Sequence, residues 1–259
     1  MVTGLVLVFA GCLGLVCGSF ANVLIYRLPR RESVVFPGSH CPACGAPIPW
    51  YLNVPVLSFA ALRGRCASCK VPISPRYPLV EASMGLLFVA CAWAWGPTVK
   101  AGWGAVFCLL CLPLGLIDLE HQILPDRLTY PGLAAGLLFS FTGQATAWQD
   151  ALAGAVAGAV LPIMVMGAYW LIRREEGMGW GDVKLLAMIG AFLGWKGALL
   201  TLMAGALAGT FIGGGYLLVS GKGRRTPLPF GTFLCAAALL VLFFGDAAWR
   251  WYAGLLPPP

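Results

Sequence analysis

The chain has 259 residues, of which 59% are hydrophobic and only 10% charged, with a net charge of +7 and a mean hydropathy of +0.84. Soluble domains carry about a quarter charged residues, so the composition excludes one and points to a membrane protein. The apolar runs are continuous rather than alternating, which excludes a β-barrel and leaves a helical bundle.

Taken in chain order, the runs predict helices at about 4 to 26, 78 to 97, 101 to 118, 127 to 143, 150 to 172, 181 to 194, 197 to 219 and 229 to 246. The fold class expected is therefore an all-α polytopic membrane bundle of about eight transmembrane helices. The first run, Leu5 to Ile25, is preceded by no basic residue and followed by Arg27, Arg30 and Arg31. That polarity is the reverse of a cleavable signal peptide and predicts a retained helix with its N-terminus outside. The inside loops then hold Arg27, Arg30, Arg31, Arg63, Arg65, Lys70, Arg76, Arg127, Arg173, Arg174, Lys184, Lys222, Arg224 and Arg225, against Lys100, Lys196 and Arg250 outside. Fourteen basic residues against three support the span number and the orientation together. The positive charge is thus a cytoplasmic bias beside the lipid bilayer, and it calls for no nucleic-acid partner. Three segments are expected: 1–26, a first transmembrane helix; 27–77, a cytoplasmic loop domain; and 78–259, the remaining bundle.

The loop contains Cys41-Pro-Ala-Cys44-Gly and, 21 residues later, Cys66-Ala-Ser-Cys69-Lys. Two such knuckles read as a tetrathiolate zinc site, and a loop with little core of its own would draw its fold from the metal. A pair of disulfides is the alternative, disfavoured in a reducing cytoplasm. His40 is a spare ligand or a solvated side chain. Cys12, Cys17, Cys91, Cys108, Cys111 and Cys235 lie in apolar helices, where thiols stay protonated and inert.

Ten acidic residues are present, and most are accounted for by loops and helix ends. Glu32, Glu175 and Glu176 are loop charges, Glu120 is solvated, Asp150 and Asp246 sit near outer helix ends, and Asp126 follows Pro125 as an N-cap. Asp118 and Asp182 remain. Asp118 closes the apolar run Phe107 to Ile117, and Asp182 follows the glycine-rich segment Gly177-Met-Gly179-Trp-Gly181. Carboxylates there are costly without a task. The third helix runs inward to Asp118 and the sixth runs outward from Asp182, so both reach the cytoplasmic boundary. Read singly, Asp182 is a helix cap and Asp118 a loop residue; their shared depth argues for a pair. Two close carboxylates share one proton, so one can activate water while the other protonates the leaving amine. Gly179 and Gly181 would let a substrate backbone approach closely. Gly18, Ser19 and Asn22 suit close packing of the first helix and an interhelical hydrogen bond. Glu81 falls near Arg76, where a structural ion pair is expected. Lys184 has a poor helical spacing for facing Asp182 and reads as an anchor reaching the interface.

These elements resemble those of the type IV prepilin peptidases, and the Gly-x-Gly-Asp element is similar to that of the wider group of membrane aspartyl proteases that includes presenilin. The resemblance rests on Gly18-Ser-Phe-Ala-Asn22 through Arg27-Leu-Pro29, both cysteine pairs, Arg76-Tyr-Pro-Leu-Val-Glu81, Asp118 through Leu124-Pro-Asp126, Gly177 through Asp182-Val-Lys184, and Pro229-Phe-Gly231. It implies a multi-pass enzyme of the inner membrane with Asp118 and Asp182 as the catalytic pair, preferred over Asp126. Gly179, Gly181 and Lys184 would bind or support substrate. It implies cleavage of prepilin or pseudopilin leaders after a glycine, then N-methylation of the new terminus with S-adenosylmethionine, with Glu81 the candidate for a methylation role. The alternative from another class is a proton-coupled transporter using intramembrane carboxylates; the knuckle loop and the absence of internal repeats argue against it.

Overall fold

The computed structural model describes residues 3–174, 178–220 and 228–255. Glu175, Glu176, Gly177, Lys222, Arg224, Arg225 and the tail 256–259 lie outside the described residues. The helices are α1 (Gly4–Arg27), α2 (Leu57–Ala61), α3 (Arg76–Trp95), α4 (Val99–His121), α5 (Asp126–Ser140), α6 (Trp148–Arg173), α7 (Trp180–Ala208), α8 (Gly214–Ser220) and α9 (Phe230–Gly254), with a π-helical turn at Gly209–Gly213. Among the described residues there is no strand, only the isolated bridges His40 to Pro47 and Arg65 to Pro72.

The chain forms two compact units, Met1–Leu109 and Leu110–Pro259. In the first, α1 packs on α3 through bare backbone. A Cβ at Gly18 would lie 2.6 Å from the Cα of Glu81, and one at Gly14 would lie 2.8 Å from the Cα of Gly85. Small residues allow that approach, and in a membrane close packing replaces the hydrophobic drive between helices. Asn22 Nδ2 donates to the Tyr77 carbonyl at 3.1 Å, the interhelical hydrogen bond the sequence suggested. Arg27, read as a loop charge, is buried. It donates to the carbonyls of Ser33 and Gly38 at 3.0 and 3.2 Å, which pins the start of the loop beneath α1. Glu81 is buried on α3, where its Oε2 accepts the Val56 amide at 2.7 Å and its carboxylate also takes the Ser19 hydroxyl. These bonds tie α1, α3 and the start of α2 together.

In the second unit the backbone leaves the helical region inside α7 at Gly194, with φ 71° and ψ 179°. Glycine reaches that conformation without steric cost. Residues 180–193 and 195–208 are therefore two arms that reverse direction. Near the turn, the Thr146 hydroxyl donates to the Phe192 carbonyl at 2.6 Å. At the other end, Gly181 lies against Leu124 and Gly213 against Leu228, just before α9. The break restores the two helices predicted at 181 to 194 and 197 to 219. Among the described residues, six segments are long and apolar enough to cross a membrane; residues Trp180–Tyr216 count as one of them, and α5, with 15 residues, is too short to count. Resolving the reversal and adding α5 gives the bundle of about eight helices. α6 and the first arm of α7 touch backbone to backbone, because Gly154 faces Gly190 and Gly158 faces Leu186 with no room for a Cβ.

Candidate active site

Asp118 lies in the last turn of α4 and Asp182 in the first turn of α7; both are at least nine-tenths buried. Their carboxylates interact electrostatically, so residues 64 positions apart meet at one end of the bundle. The side chain of Leu124 connects the two places. A Cβ on Gly181 would lie 3.1 Å from Leu124 Cβ, and one on Gly231 would lie 3.0 Å from Leu124 Cδ1 and 3.0 Å from Asp118 Cγ. A larger residue at Gly231 would displace the carboxylate.

Local sequence sets each position. Gly179 has an extended backbone (ψ 147°) as the N-cap of α7. The Asp182 amide donates to its carbonyl at 3.1 Å, while the Asp182 carboxylate reaches back to the Gly179 amide. That is a reciprocal capping arrangement with glycine at the cap. The capping role read for Asp182 alone and its place in the pair thus coexist. Pro229 precedes α9, whose first-turn amides have no partner within the helix. Two of them, on Gly231 and Thr232, are spent on Asp118, the Thr232 amide at 2.7 Å from Oδ2. The Thr232 hydroxyl lies 3.2 Å from the same oxygen and 2.9 Å from the Gly115 carbonyl. In the sequence Pro229 to Gly231 stands out only as a motif without a task, and nothing marks Thr232 itself. The adjoining motif was the only signal available.

Lys184 and Asp126 meet across two helices. Lys184 Nζ donates to Asp126 Oδ1 at 2.7 Å and lies 5.4 Å from the centre of the Tyr130 ring, so it ties α7 to α5. Asp126 is inside the first turn of α5 and makes that ion pair in place of an N-cap bond. Glu81 belongs to the first unit, with the partners described above.

The four knuckle sulfurs of Cys41, Cys44, Cys66 and Cys69 lie within 4.8 Å of one another. Tetrahedral zinc with Zn–S of about 2.3 Å needs sulfurs about 3.8 Å apart, and Cys41 Sγ to Cys69 Sγ is 3.9 Å. The two halves repeat each other. Cys41 and Cys66 donate their amides to Ala46 and Val71 and accept from Gly45 and Lys70 through their carbonyls. Gly45 and Lys70 both take positive φ, 70° and 60°. Amides of Cys69 and Ser68 turned toward the Cys66 sulfur lower that thiol to about 6. The Cys69 thiol, although the Val71 amide favours its thiolate, is pushed up to about 11 by desolvation and by the sulfurs around it. A dication would relieve that crowding, so the donor set fits zinc. His40 stands outside the cluster, its Nδ1 at 3.0 Å from the Gly38 carbonyl.

The site is thus a buried pair of carboxylates in a helical membrane bundle, in a chain that also carries a tetrathiolate cluster in its knuckle loop. Residues 12–95 match the bacterial peptidase A24 N-terminal domain and residues 105–214 match the type IV leader peptidase family. A prepilin leader peptidase/N-methyltransferase of Aeromonas hydrophila is 40% identical, over 92% of this chain and 90% of its own. One of Myxococcus xanthus is 45% identical over 85% of this chain and 66% of its own, and one of Pseudomonas aeruginosa 39% identical over 93% and 91%. The chain belongs to the type IV leader peptidase family. No solved structure matches it.

Proposed function

We propose that this chain cleaves the leaders of type IV prepilins or type II secretion pseudopilins after a glycine, at the cytoplasmic face of the inner membrane, and then N-methylates the new terminus. The burial of Asp118 and Asp182 in electrostatic contact carries the reading, within a family whose relatives bear that name. One carboxylate takes a proton from water as the water adds to the scissile carbonyl. The other hydrogen-bonds the carbonyl oxygen and then gives its proton to the departing amine as the C–N bond breaks. No acyl-enzyme forms. Gly179 leaves space for an extended substrate backbone beside Asp182, Gly181 supports the site by letting α7 close on Leu124, and Lys184 supports the segment through Asp126.

S-adenosylmethionine supplies the methyl group, with the freed amine as nucleophile, and Glu81 supports this second step by holding α2 against α3. Cys41, Cys44, Cys66 and Cys69 hold a structural zinc in the cytoplasmic module 27–77, and the N-terminus lies outside, as the fourteen-to-three charge bias directs. No observation favours the transporter. The test is mass spectrometry of a prepilin incubated with purified protein, which reads the cut and the added methyl together. Wild type should give both, and Asp118→Asn and Asp182→Asn should each give an intact leader from folded protein. An Asp118→Asn enzyme that still cuts would remove the dyad from the mechanism.

A further inference from the structure

Thr232 treats the two members of the pair unequally. Asp118 Oδ2 accepts the Thr232 amide at 2.7 Å and has the Thr232 hydroxyl at 3.2 Å, and the Gly231 amide also donates to this carboxylate. Asp182 is served by the amide of Gly179, its own helix cap. Amides at a helix start are preorganised donors with partial positive charge, and bonds to a carboxylate anion are about twice as strong as neutral ones. The donors of α9 thus gather on one carboxylate of the pair, both Thr232 groups on the same oxygen.

The hydroxyl adds something the amides cannot. It has one proton and two lone pairs, and it stands between two acceptors, Asp118 Oδ2 at 3.2 Å and the Gly115 carbonyl at 2.9 Å. While Asp118 is an anion, the hydroxyl can donate to it. Once Asp118 has taken a proton, the hydroxyl can rotate to donate to Gly115 and accept from the new acid. Both protonation states are then satisfied without movement of the carboxylate carbon, in a pocket where an unsatisfied polar group is costly.

We propose that Thr232 is a positioning residue that holds Asp118 as the general base of the pair and accommodates the proton it gains, which leaves Asp182 as the proton donor. The assignment rests on the proposed peptidase reading and adds which carboxylate does which task. In each turnover, Asp118 gains the proton that water loses as the C–O bond forms. Asp182 gives its proton to the amine as the C–N bond breaks, and transfer of the gained proton back to Asp182 restores the start.

The experiment measures kcat and KM for cleavage of a prepilin by Thr232→Ser and Thr232→Ala, which differ from each other by the hydroxyl alone. Thr232→Val serves as a second, shape-matched comparison. Methylation of an already cut pilin peptide and thermal unfolding in detergent report whether each variant is folded. The expected result is that Ser keeps kcat within about threefold of wild type, while Ala and Val lose about tenfold or more in kcat with little change in KM. Ala cutting as fast as Ser, or a loss confined to KM, would overturn the role given to the hydroxyl. Asp118→Asn separates the two claims. If it is inactive while Thr232→Ala matches Ser, the peptidase dyad stands and the Thr232 assignment falls; if it still cleaves, the dyad itself is wrong.

Discussion

Asp126 is eight positions from Asp118 and belongs to the same motif, yet its side chain is 55% exposed and pairs with Lys184 at 2.7 Å. An exposed ion pair contributes at most about 1 kcal/mol. Asp126→Asn should therefore keep substantial cleavage and change the thermal midpoint only slightly, a contrast with Asp118→Asn that a single gel assay would reveal. An inactive Asp126→Asn beside an active Asp118→Asn would reassign the dyad. The sequence exposed Asp118 because it closes an apolar run and Asp182 because it follows a glycine-rich segment at the start of one, anomalies visible at single positions. It did not expose Thr232, Arg27 or the partner of Lys184, because those identities are made by contact. Thr232 is 114 residues from Asp118 and Lys184 is 58 from Asp126, and nothing local marks a threonine as the donor to a distant carboxylate.

The knuckle loop shows the same division at the level of elements. Spacing alone made the four cysteines legible, since metal ligands recur at fixed offsets. The duplicated backbone turn, with Gly45 and Lys70 in the same left-handed conformation, was not legible because lysine gives no hint of positive φ. Between α1 and α3 the described secondary structure is a three-residue turn and the five-residue α2, neither with a buried residue. Such a segment relies on cross-links, and a structural metal supplies one. Protein purified without chelators should contain one zinc per chain. Cys41→Ser with Cys44→Ser should abolish zinc binding, and methylation of a pre-cut substrate should fall further than cleavage of an intact one. Equal losses would show that the loop serves the peptidase and methyl-transfer steps alike.

On the scale of the whole molecule, hydropathy and charge bias made the span count legible, including the pair of helices that meet at Gly194. What they could not convey is that the spans differ in reach. At 1.5 Å per residue, α6 and α9, with 26 and 25 residues, extend about 38 Å, whereas α5, with 15, and the first arm of α7, residues 180–193, extend only about 22 Å. The hydrocarbon layer is about 30 Å deep. The two short helices carry Asp126 and Asp182 at the same end, and a shortfall placed at that end would make a notch about a quarter of the layer deep. Lipid must thin there or water must fill the gap. Cleavage in vesicles should slow as acyl chains lengthen from 14 to about 22 carbons, with the protein still folded by its melting curve; a rate indifferent to chain length would discount the notch. The short reach of α5 and the first α7 arm thus makes the surrounding bilayer part of the catalytic apparatus: helices that fall about 8 Å short of the hydrocarbon depth should tie the working rate to the thickness of the membrane around them.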